Sequence, residues 1–230
     1  MPQYEINDLA KEESWRMFRI IGELVEGFDT LTGIEPAVTI YGSARLSPDS
    51  ELYKMTEDIA YRLGNLGFAV FTGGGPGVME AANKGALRSS SMSVGLNIEL
   101  PHEQSLNQYT NLSIMFHHFF VRKVMLAKYA SAFICMPGGL GTMDETTEIL
   151  TLIQTKKVKP FPVILFDSEY WKGFISWLQN SMMKRGYIAP EDLHLLRVCN
   201  TPEAVIDTVE NWHTRQEAPG ESPVKISQPS

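Results

Sequence analysis

Two glycine-rich segments constrain this chain more than any other feature: Gly73-Gly74-Gly75-Pro76-Gly77 and Pro137-Gly138-Gly139-Leu140-Gly141-Thr142. Each follows an apolar run and precedes apolar residues at helical spacing, so each reads as a strand-to-helix turn. Glycine suits such a turn for two reasons. It accepts positive φ without strain, and it lets a ligand approach the backbone closely. The following helix presents unpaired N–H groups and a partial positive charge, which suit phosphate. A lone turn of this kind is ordinarily a tight connection. Two at one sheet edge point to a phosphorylated ligand.

The rest of the chain supplies that sheet. Apolar groups at helical spacing (Ile6, Leu9, Trp15, Phe18, Ile21, Leu24, Val25, Phe28) predict a long N-terminal helix over residues 5–30. Short apolar runs then alternate with helical patterns: strands at 37–41, 68–72, 92–98, 112–116, 132–136, 162–166 and 195–199. This alternation predicts right-handed βαβ crossovers. The fold class is α/β, a doubly wound, mostly parallel, Rossmann-like sheet with helices on both faces. The expected organisation is a helical extension over 1–35, a nucleotide-binding catalytic domain over 36–214 and a disordered tail over 215–230. The tail expectation rests on Pro, Ser and charge with little apolar content.

Bulk properties narrow the partners. With 230 residues and 43% hydrophobic content, the chain can bury a full core. A formal charge of −7 argues against nucleic acid, whose backbone needs a net basic surface. Cys135 and Cys199 form neither a disulfide framework nor a metal spacing. No apolar run reaches membrane-span length and no signal pattern opens the chain, so a cytoplasmic location with no membrane partner is expected.

In an open parallel sheet, ligands bind at the carboxyl ends of the strands. Gly42-Ser43, the 73–77 turn, the Pro101-His102-Glu103 loop and the 137–142 turn all fall there. Neither turn fits a dinucleotide fingerprint, whose third glycine is replaced by Val78 or Asp144. No Gly-Lys-Ser or Gly-Lys-Thr follows, which excludes a P-loop. Nothing supports a pyridoxal site at Lys123, so no cofactor is implied. Glu145 carries two readings. Thr142-Met143-Asp144-Glu145 has the spacing of a capping box, with Glu145 returning to the cap N–H. A carboxylate beside a phosphate-binding turn is nonetheless an odd choice unless it has a further task. His117 and His118 lack ligand spacing and read as turn or edge residues.

Pro137-Gly138-Gly139-Leu140-Gly141-Thr142-Met143-Asp144-Glu145 matches the PGGxGTxxE motif of the LOG ("Lonely Guy") family, long labelled "possible lysine decarboxylase". Gly73-Gly74-Gly75-Pro76-Gly77-Val78-Met79-Glu80 is similar to its partner turn. The resemblance runs from about Val38 to Leu178. It implies hydrolysis of the N-glycosidic bond of nucleoside 5′-monophosphates, AMP or cytokinin riboside monophosphates, to free base and ribose 5-phosphate. Position by position, it implies that Arg122 and Glu145 are catalytic. It implies that Lys123, Glu103, Thr151 and Gly138, Gly139, Leu140, Gly141, Thr142, Met143 and Asp144 bind substrate. It also implies that Ser43, Gly74, Gly75 and Gly77 complete the phosphate and sugar pocket. Asp144 stands where plant members have Glu, and both ends exceed the minimal family length. These departures resemble a larger bacterial subgroup and bear on base preference. The resemblance also implies a homodimer or larger homo-oligomer. The N-terminal helix could pack on its own domain or on a partner. The alternative from another class is a nucleotide-binding or regulatory protein without turnover.

Overall fold

A computed structural model of the chain describes residues 4–100 and 106–217. Among them seven strands form one sheet: β1 (Ala37–Tyr41), β2 (Ala69–Thr72), β3 (Ser93–Ile98), β4 (Leu112–Phe116), β5 (Ala130–Cys135), β6 (Val163–Phe166) and β7 (Leu196–Cys199). Their order is β4-β3-β2-β1-β5-β6-β7, and every pairing is parallel. β1, β2, β3 and β6 are buried along their whole length, as strands covered on both faces must be.

Among the described residues seven α-helices cover the sheet: α1 (Tyr4–Leu31), α2 (Glu51–Asn65), α3 (Val78–Arg88), α4 (Phe119–Lys128), α5 (Leu140–Gln154), α6 (Ser168–Trp177) and α7 (Pro202–Glu217). One core layer joins Leu31 of α1, Val121, Met125 and Leu126 of α4, Ile149 and Ile153 of α5 and Trp171 of α6. The other joins Ile59 and Leu63 of α2, Val78, Ala82 and Ala86 of α3 and Val205 and Val209 of α7. Strand residues alternate between the layers: Ala37 and Tyr41 face the first, Val38 and Ile40 the second. The fold is therefore the expected doubly wound α/β sheet with helices on both faces.

Strand order reverses direction between β1 and β5, and there the sheet opens a crevice at its carboxyl edge. Backbone bonds tie this point together. Met136 N–H donates to Tyr41 O (2.8 Å), Ser43 N–H to Pro137 O (3.0 Å) and Val78 N–H to Ser43 O (3.0 Å). The ends of β1 and β5 and the start of α3 thus form one hydrogen-bonded unit.

Two local features of the C-terminal third matter. The helical stretch after β6 divides into α6 and a π-helical turn, Leu178–Met183. The last helix runs to Glu217, so the segment expected to be disordered from 215 starts helical; 218–230 lie outside the described residues.

Candidate active site

The first glycine turn is held by a buried amide network. Thr72 Oγ1 donates to Asn83 Oδ1 (2.6 Å) and accepts from Gly74 N–H (2.9 Å). Asn107 donates through its backbone N–H to Gly74 O (3.0 Å) and through Nδ2 to Gly75 O (3.0 Å) and Asn83 Oδ1 (3.0 Å). Gly77 ends the turn at φ +69° and caps α3, and a Cβ there would collide with the Ser43 carbonyl. Gly74, also at positive φ, would press a Cβ into Asn97 Oδ1. These glycines are required by packing and backbone conformation alone.

The second turn differs. Gly138 is crowded: a Cβ would meet Thr142 Oγ1 and, at 2.9 Å, Ser43 N. Tyr170 of α6 donates its hydroxyl to the Gly138 carbonyl. Gly139 and Gly141 have open space where a Cβ would stand, and neither has positive φ. Packing does not call for glycine at either place. Leu140 between them is 89% exposed. The open stretch lies at the N-terminus of α5, where N–H groups face outward.

That start corrects one sequence expectation. α5 begins at Leu140 with Gly139 as its N-cap, and the cap has no side-chain hydrogen bond. Thr142 therefore sits at the third helical position, and Glu145 lies in the second turn, out of reach of the cap N–H. The capping box is not formed. Glycine is itself a favoured N-cap residue, so the helix can start at Leu140 without a capping side chain.

Glu145 is free for another task. Its side chain is 7% exposed and faces Arg122 of α4, with Nη2 to Oε1 at 3.4 Å. Burial pushes the carboxyl up to about 7, against the opposing pull of Arg122 and then Lys123. Arg122 lies between the two turns. Its Nη1 is 3.6 Å from a Cβ built on Gly73, and its guanidinium carbon sits 5.2 Å over the Phe119 ring. Its buried Nε makes no hydrogen bond among the described residues. Tyr41, buried at the end of β1 on the same sheet face, likewise keeps an unpartnered hydroxyl there.

Lys123 is held by acids: Nζ lies 2.7 Å from Asp144 Oδ2 and 3.1 Å from Glu148 Oε2. Burial lowers its basicity, and the hydrogen bonds it donates to these carboxylates more than restore it. The pair Lys123–Asp144 braces α4 against α5 beside Arg122 and Glu145. Met143 is partly buried against the first core layer. Ser43 accepts from Arg45 N–H through its hydroxyl (3.1 Å) next to both turns.

Thr151 lies elsewhere. It is exposed, its hydroxyl donates to Thr147 O (2.8 Å), and helical periodicity places it away from the Glu145 face of α5. With Thr147, Leu150 and Gln154 it lines a groove of about 220 Å³ against Trp177 and Met182. Within this chain Thr151 does not join the Arg122–Glu145 centre. Glu103 falls outside the described residues. Both cysteines are buried, and burial pushes the Cys135 thiol up to about 12, which keeps it inert. Among the described residues no His, Cys, Asp and Glu group could hold a metal ion, and no helix is long and apolar enough to cross a membrane.

A family model described as "Possible lysine decarboxylase" matches residues 79–209, which span α3 to α7 and contain Arg122 and Glu145. The chain belongs to this family, the LOG family. A cytokinin riboside 5′-monophosphate phosphoribohydrolase of Rhodococcoides fascians is 30% identical over 144 residues, 61% of this chain and 71% of that protein. The LOG1 phosphoribohydrolase of Arabidopsis thaliana is 30% identical over 97 residues, 42% of this chain. There the LOG match spans only 45% of the plant protein's length. A molybdenum cofactor carrier protein of Chlamydomonas reinhardtii is similar in fold, with a TM-score of 0.57 at 21% identity over 78% of this chain and 99% of that one. The architecture thus serves proteins named for hydrolysis and for carriage, and only the site can distinguish the two for this LOG protein.

Proposed function

We propose that this protein hydrolyses the N-glycosidic bond of a nucleoside 5′-monophosphate, AMP or a cytokinin riboside monophosphate, releasing free base and ribose 5-phosphate. The observation that carries the reading is the buried Glu145 carboxyl, raised to about 7 and paired with Arg122 at 3.4 Å, beside the open glycine stretch of the second turn. A carrier needs a phosphate cradle. It has no need for a desolvated carboxylate whose charge opposes the phosphate.

Cleavage of the C1′–N bond passes through an oxocarbenium-like sugar, as in glycoside hydrolysis. Glu145 orients and deprotonates the attacking water and offsets positive charge at C1′. A carboxyl near 7 is suited to both tasks at neutral pH. Arg122 keeps Glu145 in register and reaches the phosphate side through the first turn. Gly139, Gly141 and the N-terminus of α5 receive the 5′-phosphate, supplying binding energy away from the reacting bond. Lys123 sets the spacing of α4 and α5. The motif residues carry these roles with Ser43 and the first turn as the remaining wall. The relatives' names support the reaction class.

The test is direct. Purified protein is incubated with AMP, and the products are separated by chromatography. Release of adenine and ribose 5-phosphate in equal amounts is expected. Tight AMP binding without adenine release would instead favour a nucleotide sensor.

A further inference from the structure

We infer that Glu23 of the N-terminal helix is a positioning residue: it clamps the two residues that lead into α4 and thereby holds Arg122 at Glu145. The inference rests on the proposed roles of that pair. α1 lies outside the segment matched by the family model. Its residue Glu23 is nonetheless 8% exposed and carries four contacts to the start of α4. Oε2 accepts from the backbone N–H of His117 and of His118, both at 3.2 Å. Oε1 lies 3.1 and 2.9 Å from the Nδ1 atoms of the same two residues. Burial pushes the Glu23 carboxyl up, but hydrogen bonds from the His118 ring and the two backbone N–H groups outweigh it. The carboxyl settles below its ordinary range.

His118 is the N-cap of α4, and its own side chain does not cap the helix. Glu23, 94 and 95 positions away in sequence, takes instead the backbone N–H groups of His117 and His118, the two residues that lead into the helix. A carboxylate there also matches the positive end of the helix. The His118 carbonyl in turn accepts from Val121 N–H (3.1 Å) and Arg122 N–H (3.3 Å), so the clamped residue starts the ladder that carries Arg122. Close packing sets the helix spacing: a Cβ on Gly27 of α1 would meet Met125 of α4 at 2.8 Å. His117 Nε2 further reaches Glu99 Oε2 (3.3 Å), just beyond β3.

Arg122 needs this support. Its side chain has one long contact to Glu145 and a buried Nε unpartnered among the described residues, so its placement depends on the first turn of α4. Glu23→Ala frees that turn, and a shift well under an ångström at a reacting centre is costly.

The experiment uses the full chain with Glu23→Ala, Glu23→Gln, Arg122→Ala and the Glu23→Ala/Arg122→Ala double variant. Amide hydrogen exchange is expected to accelerate about tenfold or more at His117, His118 and Arg122 in Glu23→Ala, with β5 and α5 unchanged. On AMP, kcat should fall about 10- to 100-fold with KM changed little, Glu23→Gln should recover part of it, and the loss should vanish in the Arg122→Ala background. A general folding defect would lower both backgrounds alike, and that outcome overturns the inference, as does unchanged protection or unchanged kcat in Glu23→Ala. If the wild type releases no base, the proposed reaction fails and exchange alone decides: lost protection at these three amides upholds the clamp, and retained protection overturns it.

Discussion

Glu145 illustrates how one residue couples stability and function. Its carboxyl sits near the ordinary 4.5 in the unfolded chain and at about 7 when buried beside Arg122. The folded state therefore binds more protons between these values, and the associated stability is present below pH 4.5 and lost as pH rises through about 7. The shift corresponds to at most on the order of 3 kcal/mol. Glu145→Gln removes this penalty. Calorimetry should show the variant melting above wild type at pH 8 and close to it at pH 5. Equal differences at both pH values would contradict a carboxyl raised by burial. At this scale the sequence was informative for Arg122, Lys123 and Glu145, because their motif spacing is local. It was uninformative for Asn83, Asn107 and Glu23. Their roles depend on partners up to 95 positions away, and an isolated Asn or Glu carries no sign of them.

The two glycine turns are different devices at the scale of elements. The first is a packed corner, held by the Thr72–Asn83–Asn107 network, and Gly77 has no alternative there. The second leaves room over Gly139 and Gly141. Gly77→Ala should destabilise the fold by about 1–3 kcal/mol through strain and collision with Ser43. Gly141→Ala lies within α5, so it should leave stability unchanged or raise it by up to about 1 kcal/mol. It should still weaken AMP by about tenfold or more, the scale of one lost bond to a charged group. Denaturant melts and AMP titration of both variants check this; a Gly141→Ala protein with normal AMP affinity would move the phosphate away from α5. Strand and helix positions were readable because apolar periodicity is a local property. The start of α5 was not. Thr142-x-x-Glu145 has capping-box spacing, yet the N-cap is Gly139, three residues earlier, where no capping side chain marks it.

For the whole molecule, the N-terminal helix resolves one question and raises another. One face packs on α4 through Glu23, Gly27 and Leu31. The other leaves Trp15 (63%), Phe18 (65%), Ile21 and Val25 exposed, and α4 adds Phe119 and Phe120. A bare apolar surface of this kind is characteristic of an interface. Light scattering is expected to report at least twice the single-chain mass, and Phe18→Asp to reduce it. A single-chain mass for the wild type would contradict the proposed homo-oligomer. Sequence reading gave the amphipathic pattern of α1 but not which apolar residues face inward, since both of its faces carry them.

The central claim is that Glu145 is a catalyst and not a structural cap. The measurement that tests it most directly is turnover of AMP by Glu145→Gln, with AMP affinity measured on the same preparation. General base work is typically worth about 10²–10⁴-fold, so kcat should fall by at least that order while affinity stays near the wild-type value. Near-normal turnover by Glu145→Gln would contradict the account.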